Sequence, residues 1–380
     1  MKRRLSIVIA VILVLSLALA ACGGKQAPAP AAPAEPAAPA DPATPAPAEP
    51  LEVIELTLMN HEGPNSVTAA MLDKWCAAVL EESGGALIVT PFHGSLGGPR
   101  DTYNMVMDGS VDIGFGLPTF YPGVFPATEV IGLPFIGAQN SMQAGHAMQE
   151  LWDTTDVIRN EWNDVHSILQ CTNTLSPLFT RDKKIMSVND LKGMNIRTVG
   201  APVTEWAKIV GANPMPVDLG EVYTSFEKGV INAITSVGWE AVESTSVWEL
   251  GKYFLDFEMQ VNPTFIVMNL DSWNRLPDTH KAFLDACSGH NAIEIMGDDR
   301  EVSRARVAGK IRDKSPDNLI YRLDDLDPAE VQKFKDAGYK ARDVWRGQVD
   351  ALGAGIDTKA LEEAATALME KWVKEYYYEF

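Results

Sequence analysis

Along most of the chain, apolar and polar positions switch between a two-residue and a three-to-four-residue period. LEVIELTLMN (51–60) alternates and ends on Asn60, predicting a strand. SVTAAMLDKWCAAVLEES (66–83) has helical spacing and stops at Gly84-Gly85, a C-terminal cap. ALIVTPF predicts a second strand, GGPRDTYNMVMDG a helix opened by Gly-Pro, and VDIGFG (111–116) a third strand. LPTFYPGVFPATEVIGLPF reads as a loop set with aromatics and prolines. A helix over 138–152 and a strand over 166–172 follow. In LKGMNIRTVG (191–200), Lys192-Gly193 makes a turn, a short strand runs from Met194 to Arg197, and a helix begins near Ala201. GANPMPV and INAITSV predict further short strands around the helix GEVYTSFEKG, and PTFIVMNL (263–270) a last one. The remainder reads as helix, and charge runs such as DKSPDNLIYRLDDLDPAEVQKFKDAG read as solvated faces. Strand-helix alternation of this kind predicts an α/β body with mainly parallel sheets.

The N-terminus departs from this pattern. MKRR, then LSIVIAVILVLSLALA, then small residues form a secretory signal over 1–21, with a short membrane anchor as the alternative. Leu19-Ala20-Ala21-Cys22 resembles a bacterial lipobox. By that resemblance Cys22 becomes the acylated first residue of an extracytoplasmic, lipid-anchored protein, and Gly23 gives no signal for retention at the inner membrane. Residues 25–50 repeat Pro and Ala, a composition that extends as a semi-rigid tether behind Cys22.

The formal charge is −19, and removing 1–21 takes away Lys2, Arg3 and Arg4 to leave about −22. So acidic a chain is unsuited to nucleic acid, which needs clustered cations. One local cation still outweighs a diffuse, screened field, so an anionic ligand is compatible. Cys76, Cys171 and Cys287 are far apart in sequence and odd in number, which favours buried thiols over a disulfide and allows at most one.

Catalytic signatures are absent. HGSLGG has neither the lysine nor the spacing of a phosphate loop. FHGSLGG has His93 where a nucleophile elbow needs glycine. The six histidines are unpaired at helical spacing, so no metal or cofactor is expected. Asp324, Asp325 and Asp327 sit where acids stabilise a helix start.

Arg197, at the exit of an apolar strand, either clamps an anion or pairs with an acid such as Glu205. The segments GGPRDTYNMVMDGSVDIGFGLPTFYPGVFPATEVIGLPF, DLKGMNIRTVGAPVTEWAKIVGANPMPVDLGEVYTSFEKGVINAI and NLDSWNRLP resemble the solute-binding proteins of TRAP transporters. The resemblance covers most of 52–350. It implies a two-lobed periplasmic binding-protein fold with mainly parallel sheets, crossing strands and a long C-terminal helix joining the lobes. Lobe I would comprise 51–174 and about 262–315, and lobe II 175–261 and about 316–380. It also implies membrane subunits as partners and a ligand carboxylate bridged to Arg197, whose planar fork suits it.

The chain departs from the family pattern at Asn232-Ala233-Ile234-Thr235-Ser236-Val237. There Ser236 stands near a carboxylate-holding asparagine and offers one donor instead of two. Pro177 stands near where some acid-sugar receptors carry an earlier arginine, with Arg181 a displaced candidate. These departures favour a monocarboxylate with an apolar or aromatic body. Trp239 either stacks on it or packs in a lobe; Glu240 takes an ammonium or hydroxyl or caps a helix. Strand-end reasoning adds Asn60, His61, Phe115 and Tyr121 as cleft residues. Phe120 is a core alternative, and Tyr223 and Phe265 are walls or structural. A docking ligand sensor and a periplasmic lyase or hydrolase are the competing functions.

Overall fold

A computed structural model describes residues 51–353 and 355–376. The signal sequence, Cys22 and the tether lie outside the described residues. Eleven strands form two sheets: β1 (Ile54–Asn60), β2 (Leu87–His93), β3 (Ile113–Gly116), β4 (Val165–Thr172), β5 (Leu178–Thr180), β6 (Asn195–Arg197), β7 (Asn213–Met215), β8 (Ala233–Ile234), β9 (Tyr253–Asp256), β10 (Pro263–Asn269) and β11 (Leu319–Arg322). The first sheet has the order β2-β1-β3-β10-β4 and the second β11-β9-β5-β8-β6-β7.

β1 runs parallel to β2 and β3, β6 parallel to β7 and β8, and β9 parallel to β11. The antiparallel pairings all involve β10 or β5, which lie beside the two passages between the sheets. Those passages, at 173–177 and 257–262, hydrogen-bond to one another: Asn173 N donates to Asn262 O (3.0 Å) and Ser176 N to Gln260 O (3.1 Å).

Helix Val67–Glu82 packs on the first sheet through Met71, Leu72, Trp75 and Val79, capped by the Ser66 hydroxyl. The long helix Pro328–Ala351 begins with Asp327 accepting from Ala329 N (2.8 Å) and Pro at its first turn. Its stripe of Phe334, Ala341, Trp345 and Val349 is apolar at helical spacing. Phe334 and Ala341 sit in the core under helix Ala201–Ile209 of the second sheet. Farther along, Trp345 Nε1 donates to Pro126 O (2.6 Å) and Arg342 Nε to Pro134 O (2.9 Å), in the segment that follows β3. The helix therefore spans both sheets.

The structure differs from the sequence reading in three places. Residues 319–322 form a strand parallel to β9 within the stretch read as helical and charged. Pro316 and Pro328 bound a short run, Leu319-Ile320-Tyr321, too brief to show a period. Helix Thr358–Trp372 packs on helix Ser141–Thr154, with Gln143 Nε2 donating to Met369 O (2.7 Å), instead of accompanying the second sheet. Its Leu361, Ala365 and Met369 fill an apolar surface that helix Ser141–Thr154 leaves open. The helix expected over 97–109 is confined to Thr102–Met107.

Cys76, Cys171 and Cys287 are buried thiols. No helix of the described residues is long and apolar enough to cross a membrane.

Candidate functional site

The C-terminal ends of parallel strands from both sheets converge on one cavity. From the first sheet come His61 and Glu62, after β1, and Phe115 and Leu117, at the end of β3. From the second come Arg197, at the end of β6, and Ser236, just past β8. Asn173 and Asn262 of the crossing segments, and Thr264 at the start of β10, also line it. Placement at strand carboxyl ends follows from open α/β topology, since there the chain leaves the sheet and exposes backbone and side chains to one crevice.

Arg197 is 2% exposed, and its position explains why an arginine ends a buried strand. β7 and β8 flank β6 in parallel, so their trailing carbonyls point the same way as the guanidinium. Nε donates to Val217 O (3.0 Å) and Nη1 to Ser236 O (2.6 Å); Nη2 makes no hydrogen bond among the described residues. Glu205, the acid considered as its partner, pairs with Lys208 at 3.2 Å. Burial lowers the Arg197 pKa to about 10, with Asp218 acting in the opposite sense, so the group keeps its charge at neutral pH. Neutral carbonyls orient this cation without compensating its charge, an arrangement that favours an incoming anion.

Ser236 sits beside it in the left-handed region (φ 58°). Its hydroxyl lies 3.3 Å from both Val199 O and Gln260 Oε1, so its single proton has protein acceptors. Ser236 thus serves Arg197 through its carbonyl.

The opposite wall is aromatic. His61 stacks on Phe115 (6.1 Å, 11°) and meets Phe120 edge-on. Burial lowers the His61 pKa to about 4, leaving a neutral ring at pH 7, and its Nδ1 has no partner among the described residues. Phe120 lines the cavity too, so it belongs to the site and not only to the core.

Five of the predicted residues, Arg197, Ser236, Phe115, His61 and Glu240, come together here. The others do not. Trp239 is 1% exposed and packs in the second lobe beside Phe254 (6.2 Å, 27°), with Nε1 3.4 Å from Asp256 Oδ1. It opens helix Trp239–Ser244, and its side chain turns under the sheet while that of Glu240 takes the cavity side. Asn60 is buried, holding the turn after β1 by accepting from Glu62 N (3.1 Å). Tyr121 accepts from Tyr103 N (2.8 Å) and donates to Pro99 O (3.0 Å); with Phe265 it belongs to an aromatic core cluster. Tyr223, on helix Val222–Glu227, is not among the lining residues. Arg181 holds Phe226 O and Glu227 O away from the cavity.

Glu62 and Arg300 were missed. Glu62 directly follows the predicted His61, so strand-end reasoning carried one residue further would have reached it. Arg300 lies in GDDREVSR, a charged helix start with nothing to separate it from a solvated one. Among the described residues no group of three or more His, Cys, Asp or Glu is arranged to hold a metal.

Comparison with known proteins decides what class of site this is. Residues 59–338 match the family model described as bacterial extracellular solute-binding protein, family 7. The chain belongs to this family. Its members are solute-binding proteins and not enzymes. The 2,3-diketo-L-gulonate-binding periplasmic protein YiaO of Escherichia coli is 25% identical over 311 residues, covering 74% of this chain and 84% of YiaO. An uncharacterised Haemophilus influenzae protein is 26% identical over 101 residues, 26% of this chain and 30% of that protein's length. Among solved structures, a marine metagenome TRAP solute-binding protein specific for aromatic acid ligands, holding 3-hydroxybenzoate, is 25% identical. It superposes with a TM-score of 0.77 over 84% of this chain and 99% of its own. A TRAP solute-binding protein of Rhodoferax ferrireducens with copurified benzoate is 26% identical, with a TM-score of 0.77 over 85% and 99% of the two chains. The family fold, two α/β lobes with a cleft between them, is the one described above.

Proposed function

We propose that this solute-binding protein captures a small monocarboxylate with a flat apolar or aromatic body and delivers it to the membrane subunits of a TRAP transporter. The observation that carries this is the buried guanidinium of Arg197, with no acid paired to it among the described residues, facing a cavity whose other wall holds Phe115, Phe120 and His61. The guanidinium receives the carboxylate, with Nη2 free to donate, while the rings cover the body. The lobes, divided near 174/175 and 261/262, close on the ligand by bending at the crossing segments. Signal cleavage before Cys22 and its acylation anchor the receptor outside the cytoplasmic membrane, with residues 23–50 as tether. The aromatic acids held by the two structurally similar proteins support the ligand class.

A thermal-shift panel of aromatic, branched 2-oxo and hydroxy monocarboxylates, with amides of the same bodies as controls, tests this reading. A ligand at about a hundred times its Kd adds roughly 2.7 kcal/mol, a readily seen shift. Monocarboxylates should stabilise the protein and their amides should not. Equal stabilisation by acid and amide would remove the carboxylate from the account.

A further inference from the structure

Beyond Arg197, the cavity is lined by three further charged residues: Glu62, Glu240 and Arg300. They reach it from three elements, the loop after β1, helix Trp239–Ser244 and the first turn of helix Asp299–Lys314. Glu240 is 5% exposed and Arg300 4%. Buried charges ordinarily pair. Among the described residues these three make no ion pair, either with each other or with anything else.

Their local hydrogen bonds are few. Glu62 Oε1 accepts from Thr68 Oγ1 (3.0 Å), and Glu240 Oε2 accepts from Thr174 Oγ1. Glu62 also accepts from the Ser66 hydroxyl and Glu240 from its own backbone N–H, which still leaves part of each carboxylate's acceptor capacity unfilled. Arg300 Nη1 donates to Thr172 O (2.8 Å) and weakly to Cys171 Sγ (3.9 Å); among the described residues its Nε has no partner and its Nη2 makes no hydrogen bond. Burial pushes both carboxyls above their usual range, with the charge of Arg300 opposing it in each case.

The site thus presents two carboxylates with acceptor capacity left over and a guanidinium with an unused donor, and a group that meets both donates to one and accepts from the other. An ammonium donates but cannot accept, and it would face Arg300. A second carboxylate accepts but cannot donate, and it would face two glutamates. A hydroxyl does both. Resting on the carboxylate reading above, we propose that the site reads a hydroxyl at the far end of the ligand. Glu62 and Glu240 act as its acceptors and Arg300 as its donor, so the ligand class is a hydroxylated monocarboxylic acid. A site built to hydrogen-bond a substrate hydroxyl discriminates against the analogue lacking it, because its own polar groups are then left buried and unpaired.

Calorimetric titration of the purified protein with benzoate, the three hydroxybenzoates, the hydroxyphenylacetates, 3-(aminomethyl)benzoate and isophthalate tests this. The best hydroxylated acid should bind at least about tenfold more tightly than its unsubstituted parent. In a Glu62→Gln, Glu240→Gln double variant this advantage should fall below about threefold. Arg300→Met, a second and independent variant, should give the same collapse. The inference is overturned if hydroxylated and parent acids bind equally well, or if the advantage survives in either folded variant. A tighter fit for the aminomethyl acid or the diacid would overturn it as well. If acids bind through Arg197 without regard to the hydroxyl, this inference alone fails. If none binds, or Arg197→Ala leaves binding unchanged, the carboxylate reading fails and this one with it.

Discussion

Two buried arginines reach the same cleft by different routes. Arg197 ends a central strand, and carbonyls from both neighbouring strands hold its Nε and Nη1. Arg300 begins a helix and leans on one carbonyl, Thr172 O, with its Nε unpartnered. The electrostatic settings differ in the same direction. Arg197 has only Asp218 as an influential acid, whereas Arg300 acts on the half-buried Glu62 and the buried Glu240. One cation is thus oriented rigidly with its charge uncompensated, and the other shares its field with acids before any ligand arrives. The first arrangement suits a ligand's full negative charge and the second a neutral polar group.

The largest expected effect concerns Trp239, which shares the second lobe with Arg197. Because Trp239 is core, Trp239→Ala should cost about 3–5 kcal/mol of stability in urea unfolding. Trp239→Phe should leave carboxylate affinity within about twofold. A selective loss of aromatic ligands at unchanged stability would return Trp239 to the cleft. Next, Arg197→Lys should weaken every carboxylate by about a hundredfold, because an ammonium cannot satisfy two strand carbonyls and still present a fork. Arg300→Lys should leave unsubstituted acids within about threefold. Equal losses from the two substitutions would erase the contrast between them. Ser236→Ala should change affinity by no more than about threefold, since the carbonyl is kept. A tenfold loss would make its hydroxyl a ligand contact.

Much of this contrast was legible in the sequence on one side only. Arg197 stands in DLKGMNIR, where a turn, a short apolar strand and a following helix specify the strand exit, and the motif resembles a known family. His61 and Phe115 followed from the rule that ligands meet strand ends. That rule locates a strand's end and not the side-chain direction. Asn60 and Tyr121 were therefore expected in the cleft, yet they support a turn and an aromatic core. Trp239 and Glu240 are adjacent and face opposite ways, a consequence of helix phase that the flanking residues do not fix. Arg300 was illegible because a buried cation and a solvated one share the same local composition. Only the packing of helix Asp299–Lys314 against helix Trp239–Ser244 brings it to the cavity side. Strands β5, β9 and β11 run three or four residues each, too short for a period to show.

The smallest effect lies in pH dependence. His166 stacks on Trp273 (3.6 Å), and burial, aided by Lys281, lowers its pKa to about 4, as burial does for His61. The unfolded chain takes up these protons near pH 6.5 and the folded one near 4, so their contribution to stability is lost as pH falls through that window. Buried Glu129 and Glu161, raised to about 7, act in the opposite sense and cancel when variant and parent are compared. His166→Phe should therefore reduce the acid-induced drop in urea midpoint between pH 6.5 and 4.5. An unchanged drop would assign His166 an ordinary titration.

A crystal structure of the complex with the tightest monocarboxylate from the panel tests the central claim most directly. It should show the ligand carboxylate within hydrogen-bond distance of Arg197 Nη2, and its body against Phe115 and His61. A carboxylate seated on Arg300, with Arg197 still bound only to its strand carbonyls, would contradict the account.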